Sequence, residues 1–153
     1  MRQLSYIRHL RGGDPEEEPS YLVREEPPVR DSPAEVVAMV RRGLPMEEFT
    51  ALAAWLAIPE EELAPLLGIS RATLHRRKKT GHLETPESER IVRIGRLMAR
   101  ATEVLGNERA AREWLRTPAI AFRGESPLAY LDTEIGAREV ENLLGRLEHG
   151  VFS

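Results

Sequence analysis

The stretch Ser70-Arg71-Ala72-Thr73-Leu74-His75-Arg76-Arg77-Lys78-Lys79 places five cations and an imidazole on ten residues. At 100° per residue, with Leu74 turned inward, Ala72, His75, Arg76 and Lys79 face outward and Thr73 sits at the edge. A helix displaying Arg and Lys in this way has the chemistry to read guanine edges in a major groove. Arg77 and Lys78, nearer the core side, suit phosphates. Ser70 caps free N–H groups at the helix start. The candidate DNA-contact set is therefore Ser70, Arg71, Thr73, His75, Arg76, Arg77, Lys78 and Lys79. The plainer alternative is a solvated helix with a basic C-terminus, which favours the helix dipole.

Other chemistry is poorly provided for. The chain has no Cys, so thiolate nucleophiles, thiolate metal sites and disulfides are excluded. His9, His75, His82 and His149 are scattered without metal-ligand spacing. Arg11-Gly12-Gly13-Asp14 lacks the Lys-Ser/Thr and the strand–turn–helix setting of a phosphate loop. Neither a catalytic site nor a cofactor is expected. A second cationic row, Arg90, Arg93, Arg96 and Arg100, lies roughly 140° from the apolar stripe of its own helix. It would extend a phosphate track, face an acidic partner, or form a solvated face in which Glu87 pairs with Arg90 and Glu89 with Arg93.

The elements that must position these residues read as helices. Residues 61–74 fit two helices joined by a tight turn, with Ala64 at a close approach, Gly68 in the turn, and Ile69 and Leu74 packing back. Pro65 is the misfit, because a proline inside the first helix removes one backbone bond and is tolerated only in the opening turn. Ser32-Pro33-Ala34-Glu35 has the form of a capping box. Pro45 and Pro59 restart helices, and Thr85-Pro86 opens the longest, running to Leu105 with Ile91, Ile94, Met98, Ala101 and Leu105 on one stripe. Helices near 108–116 and 134–148 follow, the last with Ala137, Val140, Leu144 and Leu147 on one face. No segment alternates with period two, so the expected class is all-α: a helix-turn-helix bundle followed by a small helical C-terminal domain.

Residues 1–31, with Pro15, Pro19, Pro27, Pro28 and three consecutive glutamates, read as a flexible or partly docked arm. Residues 32–84 make the helix-turn-helix domain and residues 85–153 the C-terminal one. The 153-residue chain has net charge −3, yet residues 69–100 hold nine cations against three carboxylates, a local +6. One basic island in an acidic chain points to a polyanion. Without an apolar run long enough to span a bilayer or a signal-peptide segment, the expected place is the cytoplasm, with no membrane partner.

From about Gly43 onward the chain resembles the Xre/MbcA/ParS antitoxin family. The helix-turn-helix is matched by Leu67-Gly68-Ile69-Ser70-Arg71-Ala72-Thr73-Leu74-His75-Arg76-Arg77-Lys78. The toxin-binding half is matched by Glu87-Ser88-Glu89-Arg90, Ala110-Ala111-Arg112-Glu113-Trp114-Leu115, Pro127-Leu128 and 131–141, and the closing residues 143–153 look like members paired with RES-domain toxins. The resemblance implies an antitoxin, not an enzyme, that neutralises an NAD-degrading RES-domain toxin encoded beside it and represses its own operon at operator DNA. It further implies a homodimer within a larger toxin–antitoxin complex. By the same resemblance the C-terminal end covers the toxin's substrate entrance. Arg138, Glu139, Arg146, Glu148, His149, Gly150, Val151, Phe152 and Ser153 are the candidate toxin contacts, with Phe152 filling an apolar pocket and the Ser153 carboxylate meeting an Arg. The rival readings are a stand-alone helix-turn-helix regulator whose C-terminal helices dimerise it, and an adaptor without DNA affinity.

Overall fold

The structure, a computed structural model, describes residues 5–12 and 32–150. Leu4 and the rest of the arm from residue 13 to 31, with the contacts assigned to Val151, Phe152 and Ser153, lie outside the described residues. Among the described residues eight α-helices follow one another: α1 (Tyr6–Arg11), α2 (Pro33–Arg42), α3 (Met46–Leu56), α4 (Glu60–Leu66), α5 (Arg71–Thr80), α6 (Thr85–Leu105), α7 (Glu108–Arg116) and α8 (Glu134–Glu148). Two 3₁₀ turns, η1 (Ile120–Phe122) and η2 (Ala129–Asp132), fill the link between α7 and α8. The expected all-α class is what forms, since among the described residues the extended pairing is confined to an isolated bridge between Pro45 and His82.

Local chemistry sets the helix ends. Ser32 Oγ accepts the Glu35 N–H at 3.2 Å, with Pro33 at the first helical position. Helix α6 opens at Thr85 as expected, capped by Glu84, and the Glu87 carboxylate accepts the Glu84 N–H at 2.9 Å. Pro65 departs from expectation. It sits in the last turn of α4, not the first. The helix ends one residue later, and the Ala64 carbonyl then serves the N–H groups of Leu67 and Ile69, so the loss is confined to one bond.

The long helix α6 is the spine. It buries Ile91, Val92, Ile94, Leu97, Met98 and Ala101. These pack with Phe49, Leu52 and Trp55 of α3 and with Val140 and Leu144 of α8 into one continuous apolar core. The link before α3 is bonded to the link before α6: Met46 N–H donates to Gly81 O at 2.8 Å and Leu83 N–H to Leu44 O at 2.9 Å. Gly43, at φ +82°, is required there because a Cβ would strike the Leu83 carbonyl.

The start of the arm is ordered more fully than its composition suggests. Residues 6–11 form α1, docked on α3 and α6 with Tyr6 and Ile7 buried. The buried Glu48 carboxylate accepts the N–H groups of Tyr6 at 2.9 Å and Ile7 at 2.8 Å, satisfying the helix start. On α6, Gly95 makes room: a Cβ would come within 2.6 Å of Ile7 Cδ1. Burial of two such side chains, worth roughly 1.5–3 kcal/mol each, offsets the entropy that the glycine- and proline-rich sequence would otherwise retain.

Candidate functional site

The basic helix α5 stands on the molecule by a narrow footing. Leu74 is its buried residue. Ser70 Oγ accepts the Thr73 N–H at 3.2 Å, which is the cap expected from sequence. In the preceding turn Gly68 takes φ +71°, and a Cβ there would collide with the Arg90 guanidinium. Arg90 Nη1 donates to the Leu67 carbonyl at 2.7 Å, so α6 directly braces the turn.

The eight candidate contacts divide into three groups. Arg71, His75, Arg76 and Lys79 are exposed, Arg76 leaning on Thr73 Oγ1 at 3.2 Å. Arg77 turns inward: its Nε meets Glu87 Oε1 at 2.9 Å and its Nη2 meets Glu84 Oε1 at 3.3 Å. The hydrogen bond to Glu87 raises the Arg77 pKa against the opposing effect of burial, with the charges of Glu87 and Glu84 adding to it. Lys78 Nζ lies 2.6 Å from Glu60 Oε2 of α4, and that bond raises the lysine pKa too. Ser70 and Thr73 shape the helix start.

The second cationic row is engaged within the chain, with partners other than the Glu87 and Glu89 of its own helix. Each of its members holds another part of the fold. Arg90 grips the turn, Arg93 pairs with Glu141 at 3.3 Å and Glu134 at 3.8 Å, Arg96 donates to Tyr6 Oη at 3.1 Å, and Arg100 meets Glu148 at 3.2 Å. Glu87 does not pair with Arg90, because it faces α5 and takes Arg77 instead.

Helix α8, packed on α6, buries Gly136, Ala137, Val140 and Leu144. Arg138, Glu139, Arg146, Glu148, His149 and Gly150 are exposed, as a contact surface needs. Two of these are occupied within the chain, Arg138 by Glu134 at 3.6 Å and Glu148 by Arg100. Gly150 takes φ +67°, the left-handed conformation expected beyond the last helix.

Sequence reading missed two residues here. Ile120 is 99% exposed and Ile135 79% exposed, beside a Phe122–Tyr130 ring pair with centroids 4.4 Å apart. The position of Ile135, outside the 137/140/144/147 stripe, was the available signal. Among the described residues no cluster of three or more His, Asp or Glu has the placement to hold a metal, and no helix is long and apolar enough to cross a membrane.

Comparison with known proteins divides the chain along similar lines. Residues 35–96 match the antitoxin Xre-like helix-turn-helix domain, and residues 100–150 match the antitoxin Xre/MbcA/ParS C-terminal toxin-binding domain. An "Antitoxin Xre" of Yersinia enterocolitica is 38% identical over 120 residues, covering 77% of this chain and 81% of the relative. An "Antitoxin Xre" of Photorhabdus laumondii is 32% identical over 118 residues, covering 76% and 80%. One from Pseudomonas putida is 29% identical over 93 residues, covering 61% and 56%.

Proposed function

The chain belongs to the Xre/MbcA/ParS antitoxin family, and from that premise we propose that it neutralises an NAD-consuming RES-domain toxin by covering the toxin's active site and represses its own operon. In this reading it is a cytoplasmic regulator without a cofactor or a reaction of its own, acting as a homodimer inside a larger toxin–antitoxin complex. Arg76 and Lys79, exposed on the capped α5, read operator bases, and Thr73 and His75 border them. Arg71 and Lys78 meet phosphates from either end of the helix, Lys78 on release from Glu60. Arg77, with Ser70, holds the reading helix in place.

The toxin contacts fall on α8 and beyond it. Arg138, Glu139 and Arg146 orient the toxin against α8 with Glu148 and His149. Gly150 then directs Val151, Phe152 and Ser153 toward the substrate entrance. Division of labour near residue 84/85 is functional in this proposal, because the apolar core runs through both halves. The observation that carries the reading is the match of residues 100–150, α8 included, to a toxin-binding domain.

Co-expression with the adjacent gene product, pull-down and a cellular NAD assay test it. The expected result is a stable complex in which NAD is spared. Removal of Val151 to Ser153 should restore NAD loss and growth arrest while the complex still forms. Full protection by the truncated chain at matched expression would move the blocking role from the tail to the helices. An adjacent product that neither binds nor consumes NAD would leave a helix-turn-helix regulator.

A further inference from the structure

Among the described residues three large apolar side chains are largely exposed, Val37, Ile120 and Ile135. Two of them lie in the segment matched to a toxin-binding domain. Each is carried by a rigid mount. Around Ile120 the backbone closes on itself: Ala119 N–H donates to Glu125 O at 3.0 Å, and Gly124 N–H returns to Ala119 O at 3.1 Å. Arg123 completes the turn in the left-handed region at φ +55°, a conformation a non-glycine residue keeps only where its surroundings demand it. Phe122 points into the core and stacks on Tyr130, while Ile120, two residues earlier, projects wholly into water.

Ile135 is mounted through the backbone of its neighbour, at the start of α8. Its neighbour Gly136 is pressed so closely on the Tyr130 carbonyl that a Cβ would not fit, which fixes the first turn of α8 on η2. Thr133 Oγ1 caps that turn by accepting the Gly136 N–H at 3.0 Å. A fully hydrated isoleucine gains nothing for the free chain. A stiff turn that presents one has already met the ordering cost of docking.

We infer that Ile120 and Ile135 are apolar anchors for the toxin, additional to the polar α8 side chains and the C-terminal residues already assigned, seated in apolar recesses of the toxin's surface. The inference rests on the antitoxin reading above and names where affinity, as distinct from active-site blocking, resides. The occupant is the toxin rather than a second copy because both anchors fall within residues 100–150, the segment that matches a toxin-binding domain. Arg123, Glu125, Glu134 and Arg138 supply the charged rim that such anchors usually carry.

The test uses the full chain with Ile120→Asp, Ile135→Asp, and Ile120→Leu as the conservative partner. Affinity for the purified adjacent toxin is measured by titration calorimetry, and oligomeric state by light scattering. Each aspartate should weaken toxin binding by roughly 30-fold or more. Ile120→Leu should bind nearly as wild type. Melting temperature and operator gel shift should not move, since neither side chain is buried in the free chain. Aspartate variants that bind within threefold of wild type would overturn the inference. So would loss of binding that tracks dissociation of one copy from another, which would assign the surface to self-association. Failure of the wild-type chain itself to bind the adjacent product would instead remove the antitoxin reading, and the anchors with it.

Discussion

Helices α5 and α8 flank the same spine and are attached to it by opposite means. α5 contributes one buried side chain, Leu74, and is clamped by carboxylates: Glu87 and Glu84 on Arg77, and Glu60 on Lys78. α8 lays down a packed stripe of Gly136, Ala137, Val140 and Leu144, with ion pairs to Arg93 and Arg100 only at its margins. A helix that must present a cationic face has few apolar positions left for packing, so charge is recruited to hold it. A helix whose charges lie only on its outer side, as in α8, keeps a full apolar inner face. The arginines of α6 serve both attachments: Arg90 holds the turn before α5, and Arg93 and Arg100 hold α8.

The largest effect should come from emptying the packed attachment. Leu144→Ala removes a fully buried side chain and should lower stability by about 2–5 kcal/mol. Urea unfolding measures it. Below the melting temperature, operator affinity should survive better than toxin affinity, because the change loosens α8 and not α5. Equal loss of both would show that the two attachments fail as one. The charged attachment comes next. In Arg77→Ala the Glu87 carboxylate, whose side chain is 10% exposed, loses its cation and should cost about 2–3 kcal/mol. The added change Glu87→Ala should recover part of that loss, as a double-mutant cycle reads directly. Wild-type stability in the single variant would mean that Leu74 alone suffices to hold α5.

How much of this was legible in the sequence follows from the same contrast. Apolar spacing is local, so α6, α7 and α8 and their buried stripes could be read from the chain. Caps and turn glycines are local as well, and Ser70 and Gly68 behave as their types dictate. The partners of the arginines were not legible. Arg93 meets Glu141 and Arg96 meets Tyr6 across 48 and 90 residues, and nothing in local spacing distinguishes those carboxylate and hydroxyl partners from Glu89 or solvent. The helix-turn-helix surface was therefore recognised as a basic region. Its division into outward-facing Arg76 and Lys79 and inward-held Arg77 was anticipated only in part by the helical wheel. α1 escaped for another reason: its N-terminal N–H groups are met by Glu48, a carboxylate that an amphipathic reading leaves in water.

A third perturbation sharpens the difference between presenting charge and spending it. Arg76 and Lys79 make no ion pair among the described residues, so their removal should leave stability unchanged while operator binding falls. Each lost base-edge contact would cost roughly 1–3 kcal/mol of affinity, and the loss should be far smaller on unrelated DNA. Gel shifts with Arg76→Ala, Lys79→Ala and the double variant on both DNAs give the answer. Unchanged operator affinity in the double variant would remove α5 from base reading.

The smallest effect concerns α1, whose outer edge is tied by a more exposed ion pair. Arg11 Nε donates to Glu108 Oε2 at 2.8 Å, and the Arg11 and Glu108 side chains are 39% and 33% exposed. Burial pushes the Glu108 pKa up. The hydrogen bond and charge of Arg11 outweigh it, with Trp55 and Arg112 assisting, and the carboxyl is held below its ordinary value of 4.5. A carboxylate whose folded pKa is depressed contributes stability that is whole above the unfolded value and disappears as pH falls through the folded one. Glu108→Gln should thus lower stability at pH 7 by no more than about 1 kcal/mol, given the exposure of the pair. The difference from wild type should shrink as pH falls below 4.5 and close once the wild-type carboxyl is itself protonated. Urea midpoints of the two proteins at pH 7 and pH 3 make the comparison. An offset that persists unchanged at pH 3 would assign the loss to the shape of the glutamine rather than to charge. The exposed pair would then carry no ionic stabilisation, and the strength of the Arg77 clamp on α5 would have to come from its burial.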